Sequence, residues 1–531
     1  MAELPVSKRI FYGMGGITMA LPDLLVMQWL LVRYVPPDGT HLVPAALLGF
    51  FMLVGRITDG TSSAIIAHFS DGCESRWGRR MPFLRFGIVP LALVFFLLFN
   101  PPIAHLHWIN MVYVLFLIPA YFILYNVVVT PYLALMPEIS SDLKERVDLM
   151  TFQSLFVMVA TFTFAAMGLI LQRWGWAAAA GLVAILTAAF LIPVATQIKE
   201  KPRKTGLAHT KLHFFESIVL AMKNPPFRYV VASTAIYWFG LNGLIALVPH
   251  WTLNVLGRGE GDVTTLMVPF LVMNLVFFFV FNYLAKKFGK YKMMLVTFLG
   301  SALPLFVMCL IGRLPFGSDF VQTAIVMAAF GAPVAGFMVL PFAVLGDVVD
   351  YDEQLTGRRR EAIFFGVQGV FQKTMIGVSV LTFTIVPFIK SDGTLPLRAD
   401  RPLTFSGDYI PTNPAPATLS KDAPNPKPQT PNPISIEISP AGLDAPWTVY
   451  GPNGFTRAGR GDTTLSDMAL GPYKVVWGEV PGYTTPQPRR VPTPYGLKLM
   501  AFVCGLACIG SFLVFLRYPI RERDGKIVLV R

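Results

Sequence analysis

GRITDGTSSAIIAHFSDGCESRWGRRMPF, residues 55–83, joins two features that rarely share one stretch of chain. Its first part continues an apolar run that begins near residue 45, yet it holds Arg56 and Asp59 three positions apart, with Ser62 and Ser63 one turn on. Residues three apart share a helix face, so arginine, aspartate and hydroxyl can all point the same way. Its second part, Asp71 followed by Arg76, Gly78, Arg79 and Arg80, is a basic turn before the next apolar run. A charge inside an apolar helix is costly unless it finds a partner or a water-filled cavity. The stretch therefore reads as a membrane helix with work to do, ending in a charged loop.

Outward from it the pattern repeats. The chain has 531 residues, 54% of them hydrophobic, and only 14% are charged, against about 25% in soluble domains. Apolar runs near the length needed to cross a bilayer are expected at 10–33, 45–70, 83–100, 110–136, 149–172, 177–196, 227–250, 264–285, 293–312, 322–347, 363–389 and 496–517. The expected fold is an all-α membrane protein of twelve helices in two six-helix halves, 1–196 and 227 onward, joined by a basic loop at 197–226. Lys and Arg concentrate in the even-numbered connections and the termini, as in Arg76–Arg80, Lys286–Lys292 and Arg358–Arg360. The positive-inside rule then places both termini in the cytoplasm, as a multi-pass inner-membrane protein. The net charge of +13 is accounted for by orientation and anionic lipid, with no need for nucleic acid. Lys8 and Arg9 precede the first run without a small-residue cleavage site, so that helix reads as anchor and targeting signal together.

Two further features qualify this plan. The Arg76-Trp-Gly-Arg-Arg80 turn after helix two is echoed by Lys287-Phe-Gly-Lys-Tyr-Lys292 after helix eight, as a duplicated unit would leave it. Between helices eleven and twelve lies an insert, 390–494. Its first part, 390–432, is Pro-rich and expected to be an extended spacer. The rest, 433–494, has β-rich runs such as ISIEIS and PYKVVWG between Gly, Pro and Asn punctuation. It is expected to form a small extracytoplasmic β-sandwich, periplasmic in a Gram-negative host, with a possible partner there. The last segment, 495–531, is helix twelve and a cytoplasmic tail.

Three stretches resemble the glycoside–pentoside–hexuronide:cation symporters, the melibiose-permease-like branch of the major facilitator superfamily. They are 55–83, PYLALMPEISSDLKERVDL at 131–149 and DVVDYDEQLTGRRREAIFFGVQGVFQK at 347–373. The resemblance implies a secondary carrier for a sugar or glycoside, working by alternating access. It implies that Asp59, with Ser62, Ser63, Asn126 and Lys373, handles a cation or proton. Lys373 matches the lysine of the family's VQ-x4-K pattern and would pair with Asp59, either as a bridge that opens during turnover or as a static one. Departures are equally informative. Ser63 and Val129 stand where the family has aspartates, Gln153 and Ser154 near its helix-five arginine, and Ala20 and Met19 at its sugar-binding aspartate and neighbouring lysine. Fewer carboxylates weaken a sodium site, since hard cations want several strong oxygen donors, so a proton is the expected coupling ion and no cofactor is expected.

Asp23 lies three residues after Ala20 and faces nearly the same way. It either binds solute hydroxyls or is a solvated vestibule group. Arg56, Tyr132, Trp238 and Lys373 complete the candidate solute site, the two aromatics being alternatively packing groups. Asp71, Arg76, Gly78, Arg79, Arg80 and Arg146 in one half, with Asp350, Glu353, Arg358, Arg359 and Glu361 in the other, form a candidate cytoplasmic gate, or simply solvated loops. Four cysteines and the histidines show no metal-ligand spacing, and no enzymatic motif is present. Diverged sugar-binding charges leave two alternatives: a lysolipid or other amphipath carrier, and a receptor or scaffold acting through the outer module.

Overall fold

The computed structural model describes residues 5–36, 41–73, 75–139, 143–198, 214–356, 360–389, 395–397, 403–408, 410–411, 434–439, 442–466, 468–469, 471–481, 483–485, 493–523 and 526–529. Thirteen helices are described. The first half contains α1 (Val6–Tyr34), α2 (Ala45–Gly72), α3 (Met81–Phe99), α4 (Trp108–Ile139), α5 (Leu143–Ala165) and α6 (Met167–Gln197). A short α7 (Phe214–Met222) precedes the second half, which comprises α8 (Pro225–Asn254), α9 (Glu260–Phe288), α10 (Lys290–Cys309), α11 (Asp319–Thr356), α12 (Glu361–Phe383) and α13 (Pro494–Leu516). Eleven of these are long and apolar enough to cross a membrane among the described residues. The twelfth long helix is α2, whose Arg56 and Asp59 lie inside the bundle between α4 and α12. Large apolar side chains such as Phe86, Val89, Phe116, Phe279 and Leu303 stand exposed around the outside. Lipid suits such a surface, because in hydrocarbon the helices satisfy their own backbone groups and the side chains need no polar cover.

Helix ends follow local chemistry. Pro225 and Pro226 open α8, where a missing N–H costs nothing, and the side chain of Asn224 accepts from Phe227 N at 3.2 Å to cap it. The turn after α2 needs Gly78 at φ 108°, and the turn after α9 needs Gly289 at φ 86°. L-residues with side chains avoid that region. Both halves thus spend a left-handed glycine at the same topological point, within the two basic turns that echo one another in sequence.

The face that carries the start of α1 and the end of α13 is here the terminal face, and the opposite one the far face. The two halves close on each other toward the far face. His250 Nε2 of α8 lies 3.5 Å from Val35 O after α1, and the ring of His41 meets Phe388 edge-on at 5.8 Å. Gly377 of α12 packs on Leu53 and Arg56 so closely that a Cβ there would sit 2.9 Å from Leu53 Cδ1. Gly168 lies against Glu260 and Thr264, and Gly261 against Gln172. These contacts hold the two halves together at the far face. Toward the terminal face, Gly366 and Gly369 of α12 have room for a side chain, with nothing within 4 Å of where a Cβ would lie.

The insert differs from its expected layout. Strands begin well inside the stretch expected to be a spacer: β1 (Leu395–Leu397), β2 (Leu403–Asp408) and β3 (Ile410–Pro411). Then come β4 (Ile434–Ser439), β5 (Pro446–Tyr450), β6 (Thr456–Arg460), β7 (Thr463–Leu465), β8 (Gly471–Trp477) and β9 (Tyr483–Thr484). They form sheets of order β1-β8-β5-β6 and β2-β4-β7, with β3 paired to β9. The low-complexity composition hid β2, whose parallel pairing with β4 is a long-range contact that local propensity does not report. Phe405, Ile436, Trp447, Val449, Leu465, Tyr473 and Val475 make a core separate from that of the bundle. The insert closes at its neck, where Thr493 N donates to Pro387 O at 2.8 Å and Thr493 also caps α13. After α13, β10 (Ile520–Arg523) and β11 (Lys526–Leu529) form a hairpin in the expected tail.

Candidate functional site

The middle of the bundle holds a chain of four charged side chains from three helices. α2 supplies Arg56 and Asp59 on one face, and Gly55 beside them lets α2 approach the ring of Phe122 on α4. The Arg56 guanidinium lies 4.7 Å from that ring's centroid, a cation–π contact. Its Nη2 donates to Asp23 Oδ1 of α1 at 2.7 Å and its Nη1 to Asp59 Oδ2 at 2.9 Å. The other oxygen of Asp59 accepts from Lys373 Nζ of α12 at 2.7 Å and from Asn126 Nδ2 of α4 at 2.8 Å. Two carboxylates thus meet two cations, and the formal charge of the chain is zero. Such balance is what allows charge at this depth, since an unpaired buried ion costs several kcal/mol.

The four members differ in their access to water. Arg56 and Asp59 are 3% and 1% exposed, whereas Asp23 and Lys373 keep 29% and 26%. The two inner groups are locked and the two end groups border solvent-accessible space. Tyr121, near the Arg56 end, and Gln368, one and a half turns before Lys373, are buried with Tyr121 Oη and Gln368 Oε1 unpartnered, as is Arg56 Nε. Tyr125 donates to Met19 O, and Gln153 lies within 3.5 Å of the sulfur of Met19.

The structure gathers Asp23, Arg56, Asp59, Ser62, Asn126 and Lys373, with Asn126 Nδ2 2.9 Å from Ser62 Oγ. Ser63 instead turns back on its own helix, onto Gly60 O at 2.9 Å. Tyr132 lies apart from the cluster: it is 1% exposed, stacks on Tyr12 at 5.0 Å and donates to Tyr12 O. The missing side chain of Gly15 supplies the space its ring fills, so packing explains it. Trp238 stands half-buried on α8, edge-on to Phe337 of α11 at 5.3 Å.

Among the gate candidates, Arg76 lies over Trp77 at 4.5 Å, with Arg85 on the same ring at 5.0 Å. Arg79 and Arg80 are engaged, and so are Asp350 and Glu353. Arg358 and Arg359 lie outside the described residues, and the side chains of Asp71, Arg146 and Glu361 do too. The geometry adds a group that sequence reading passed over. Asp352, 3% exposed, receives Arg360 through two hydrogen bonds of 2.8 and 2.6 Å and Asn224 at 3.3 Å. Helical spacing of 352 with the buried Val348 and Val349 was the signal that could have singled it out from Asp350 and Glu353. Its partners belong to the same half, so in this conformation it ties α8 to α11 and the α11–α12 turn.

A model of the family described as MFS/sugar transport protein matches residues 11–388. The chain belongs to that family. Its resemblance to the glycoside/cation symporters holds, and as a family member it is a transporter and not an enzyme. An uncharacterized symporter, sll1374, of Synechocystis is 23% identical over 76% of this chain and 89% of its own length. The isoprimeverose transporter of Lactiplantibacillus pentosus is 24% identical over 71% of this chain and 78% of its own. The sodium-dependent lysophosphatidylcholine symporter 1 of Gallus gallus is 24% identical over the same shares, 71% and 78%. Among solved structures, the D-xylose-proton symporter superposes with a TM-score of 0.54 at 16% identity, covering 72% of this chain and 90% of that one. The fold is that of a major-facilitator transporter.

For this family member the fit of a bound metal cation can be tested on the oxygens present. Asp59 has both oxygens taken by Arg56, Lys373 and Asn126. Asn126 presents its amide nitrogen to the cluster, its oxygen lying 3.4 Å from Thr130 Oγ1. Val129 adds no oxygen, and Ser63 faces away from it. Among the described residues, no group of three or more His, Cys, Asp and Glu is placed to hold a metal ion. The partners of the Asp59 oxygens are thus cationic or N–H groups, which do not themselves coordinate a sodium ion.

Proposed function

We propose that the protein carries a sugar or glycoside across the inner membrane by proton-linked symport. The observation that carries this reading is the charge chain Asp23–Arg56–Asp59–Lys373, which crosses the centre of the bundle and links the two halves through Lys373 and Asp59. A charged strut at that place gives a proton or solute something to act on, because only a differential interaction with the two access states can move the equilibrium between them. The terminal face is read as cytoplasmic from its basic loops. On this reading the halves meet on the outer side, the solute leaves this conformation toward the cytoplasm, and the strand-rich insert is a small β-sandwich on the outer surface. The solute would bind between the halves, reached by Asp23, Lys373 and Trp238. Hydroxyl groups suit the carboxylate and ammonium there through charge-assisted hydrogen bonds.

A bound ligand raises the apparent stability of the state that binds it. The purified protein should therefore be stabilised against heat by a subset of xylosides, glycosides and uronates, more strongly at low pH and indifferently to sodium. Uptake of the stabilising sugar into proteoliposomes should follow an imposed pH gradient. The likeness to a lysophosphatidylcholine symporter supports a second reading, an amphipath carrier. Stabilisation by lysophosphatidylcholine alone, above matched detergent controls, would replace the sugar assignment.

A further inference from the structure

We infer that Asp23, and not Asp59, is the carboxylate that takes up and releases the coupling proton, Arg56 passing wholly to Asp59 whenever Asp23 is protonated. The inference rests on the proton-linked reading above and deepens it.

The two carboxylates differ in what a proton would have to displace. Asp59 is 1% exposed, and both of its oxygens are engaged by cations, Oδ2 by Arg56 and Oδ1 by Lys373, with Asn126 on Oδ1 as well. A proton reaching it must cross the packed interface of α2, α4 and α12 and expel a charged donor. Asp23 is 29% exposed and accepts a hydrogen bond from Arg56 Nη2 at Oδ1, at 2.7 Å. Water can reach it, and one of its oxygens is available while the other holds Arg56. Arg56 in turn has a second carboxylate already in hand, at 2.9 Å, so losing Asp23 does not strand the guanidinium. The ionised Asp23–Arg56 contact is thus the link of the chain that can break without leaving an unpaired ion.

The charged and titratable groups around Asp23 are Arg56 and Asp59 from α2, Tyr121 and Tyr125 from α4, and Lys373 from α12. The other helices packed on α1 carry their charges elsewhere. On α5 the described ones are Glu145 and Asp148, the latter paired with Arg9 at the terminal face. On α6 the charge is Arg173, on α3 Arg85, bonded to Ala195 O, and on α8 Arg228, bonded to Met222 O at the opposite end of the helix from His250, which lies at the far-face seam. None of these competes with Arg56 for Asp23 in the contacts described.

The proton balance is simple. In the outward-open state a hydronium ion gives its proton to Asp23, the Asp23–Arg56 hydrogen bond breaks, and Arg56 keeps its bond to Asp59. After the halves rock, Asp23 faces the cytoplasmic cavity, releases the proton to water and regains Arg56, which is the arrangement seen here. The protonated carboxyl is also free to donate to a solute hydroxyl, so proton and solute meet at one residue.

The test is difference infrared spectroscopy of the purified full-length protein in lipid, stepped between pH 5 and 9, following the carbonyl stretch of a protonated carboxyl. The expected result is a titrating band that disappears in Asp23→Asn, shifts in Asp23→Glu, and persists in Asp59→Asn. Circular dichroism and gel filtration check that each variant is folded. A band that survives Asp23→Asn overturns the inference, as does loss of the band in Asp59→Asn with its retention in Asp23→Asn. If Asp59→Asn fails to fold, the two Asp23 variants still decide. Because the readout needs no solute, loss of the band in Asp23→Asn sustains the assignment even where every sugar tested fails to be transported, an outcome that would sink only the sugar reading.

Discussion

Removing Lys373 and Asp59 singly and together tests whether the four charges act as one balanced unit. Lys373→Ala leaves Asp23 and Asp59 facing Arg56 alone, a net charge of −1 in the bundle. Asp59→Asn leaves Arg56 and Lys373 facing Asp23, a net charge of +1. The double variant returns the cluster to zero. Removing one partner of a buried pair costs about 3–5 kcal/mol because the other is left uncompensated. Here Lys373 is 26% exposed, and Asp59 retains Arg56 at 2.9 Å and Asn126 at 2.8 Å. Each single change should therefore cost less than that, about 2 kcal/mol. The double variant should then be more stable than the sum of the singles predicts by about 2 kcal/mol, roughly a 30-fold difference in equilibrium constant. Unfolding by a graded denaturing detergent, followed by tryptophan fluorescence, would measure all four corners of the cycle. If the single costs simply add, the charges are independent and the strut described here does not exist as a unit.

Further expectations concern the seam, the energetics of coupling and the insert. Gly377→Leu should open the far-face seam, because even a Cβ would lie 2.9 Å from Leu53 Cδ1 and 3.1 Å from Arg56 Cβ. Overpacking of about 1–3 kcal/mol should raise maleimide labelling of a cysteine placed at Thr384 by tenfold or more, and unchanged labelling would contradict the close packing of that seam. On the proton-linked reading, one charge moving through 100 mV yields about 2.3 kcal/mol, enough for roughly 50-fold accumulation of a neutral sugar. Asp23→Asn should reduce that to simple equilibration, and accumulation retained by the variant would refute the coupling role. Trp447→Ala should unfold the insert at a cost of about 3–5 kcal/mol, since Trp447 is 3% exposed and bonded to Gly461 O at 2.8 Å. Limited proteolysis should then cut within 395–484 while the bundle resists; a bundle that loses its own thermal stability would show that the insert is not independent.

Much of the bundle was legible because a bilayer imposes its own period on sequence. Runs of about twenty apolar residues and basic loops between them identify helices without any knowledge of packing. Helix two was readable for the opposite reason: Arg56 and Asp59 interrupt an apolar run, and charge in that setting demands a partner. Lys373 as the partner of Asp59 was legible from the family resemblance, and the structure places them 2.7 Å apart. That Asp23 pairs with Arg56 was not legible. It depends on how α1 and α2 are rotated about their axes, which helical spacing within α1 alone does not fix. Tyr132 misled because an aromatic near a site is equally suited to a solute or to a neighbour, and Gly15 supplies the room that Tyr12 and Tyr132 fill. In the insert, strand β2 was hidden within a Pro-rich composition, and what stabilises it is its pairing with β4 across residues 409–433, which no local window can see.

The distribution of exposure along the charge chain gives the four residues separate duties. Arg56 and Asp59 come from one helix and are sealed, so their bond need not change as the halves move. Asp23 also belongs to the first half, and its contact with Arg56 is internal to that half. Lys373 alone of the four comes from the second half, so its bond to Asp59 spans the moving interface. A solute that engages Lys373 competes with Asp59 across that interface, whereas a proton on Asp23 alters the charge within the first half and strengthens the hold of Arg56 on Asp59. The two events act on the same carboxylate from opposite sides. Protonation engages Asp59 more fully with Arg56 and weakens its claim on Lys373, and a solute then completes the release. On the proposed reading this is the reason proton and sugar move together: each lowers the cost of the step that the other requires, and reciprocity of that coupling follows from linkage. Measured sugar affinity should therefore rise with proton occupancy in the parent protein and become independent of pH in Asp23→Asn, whereas Lys373→Ala should weaken sugar binding at every pH. A pH-dependent affinity that survives Asp23→Asn would mean that the proton acts elsewhere, and the division of duties along the chain would have to be redrawn.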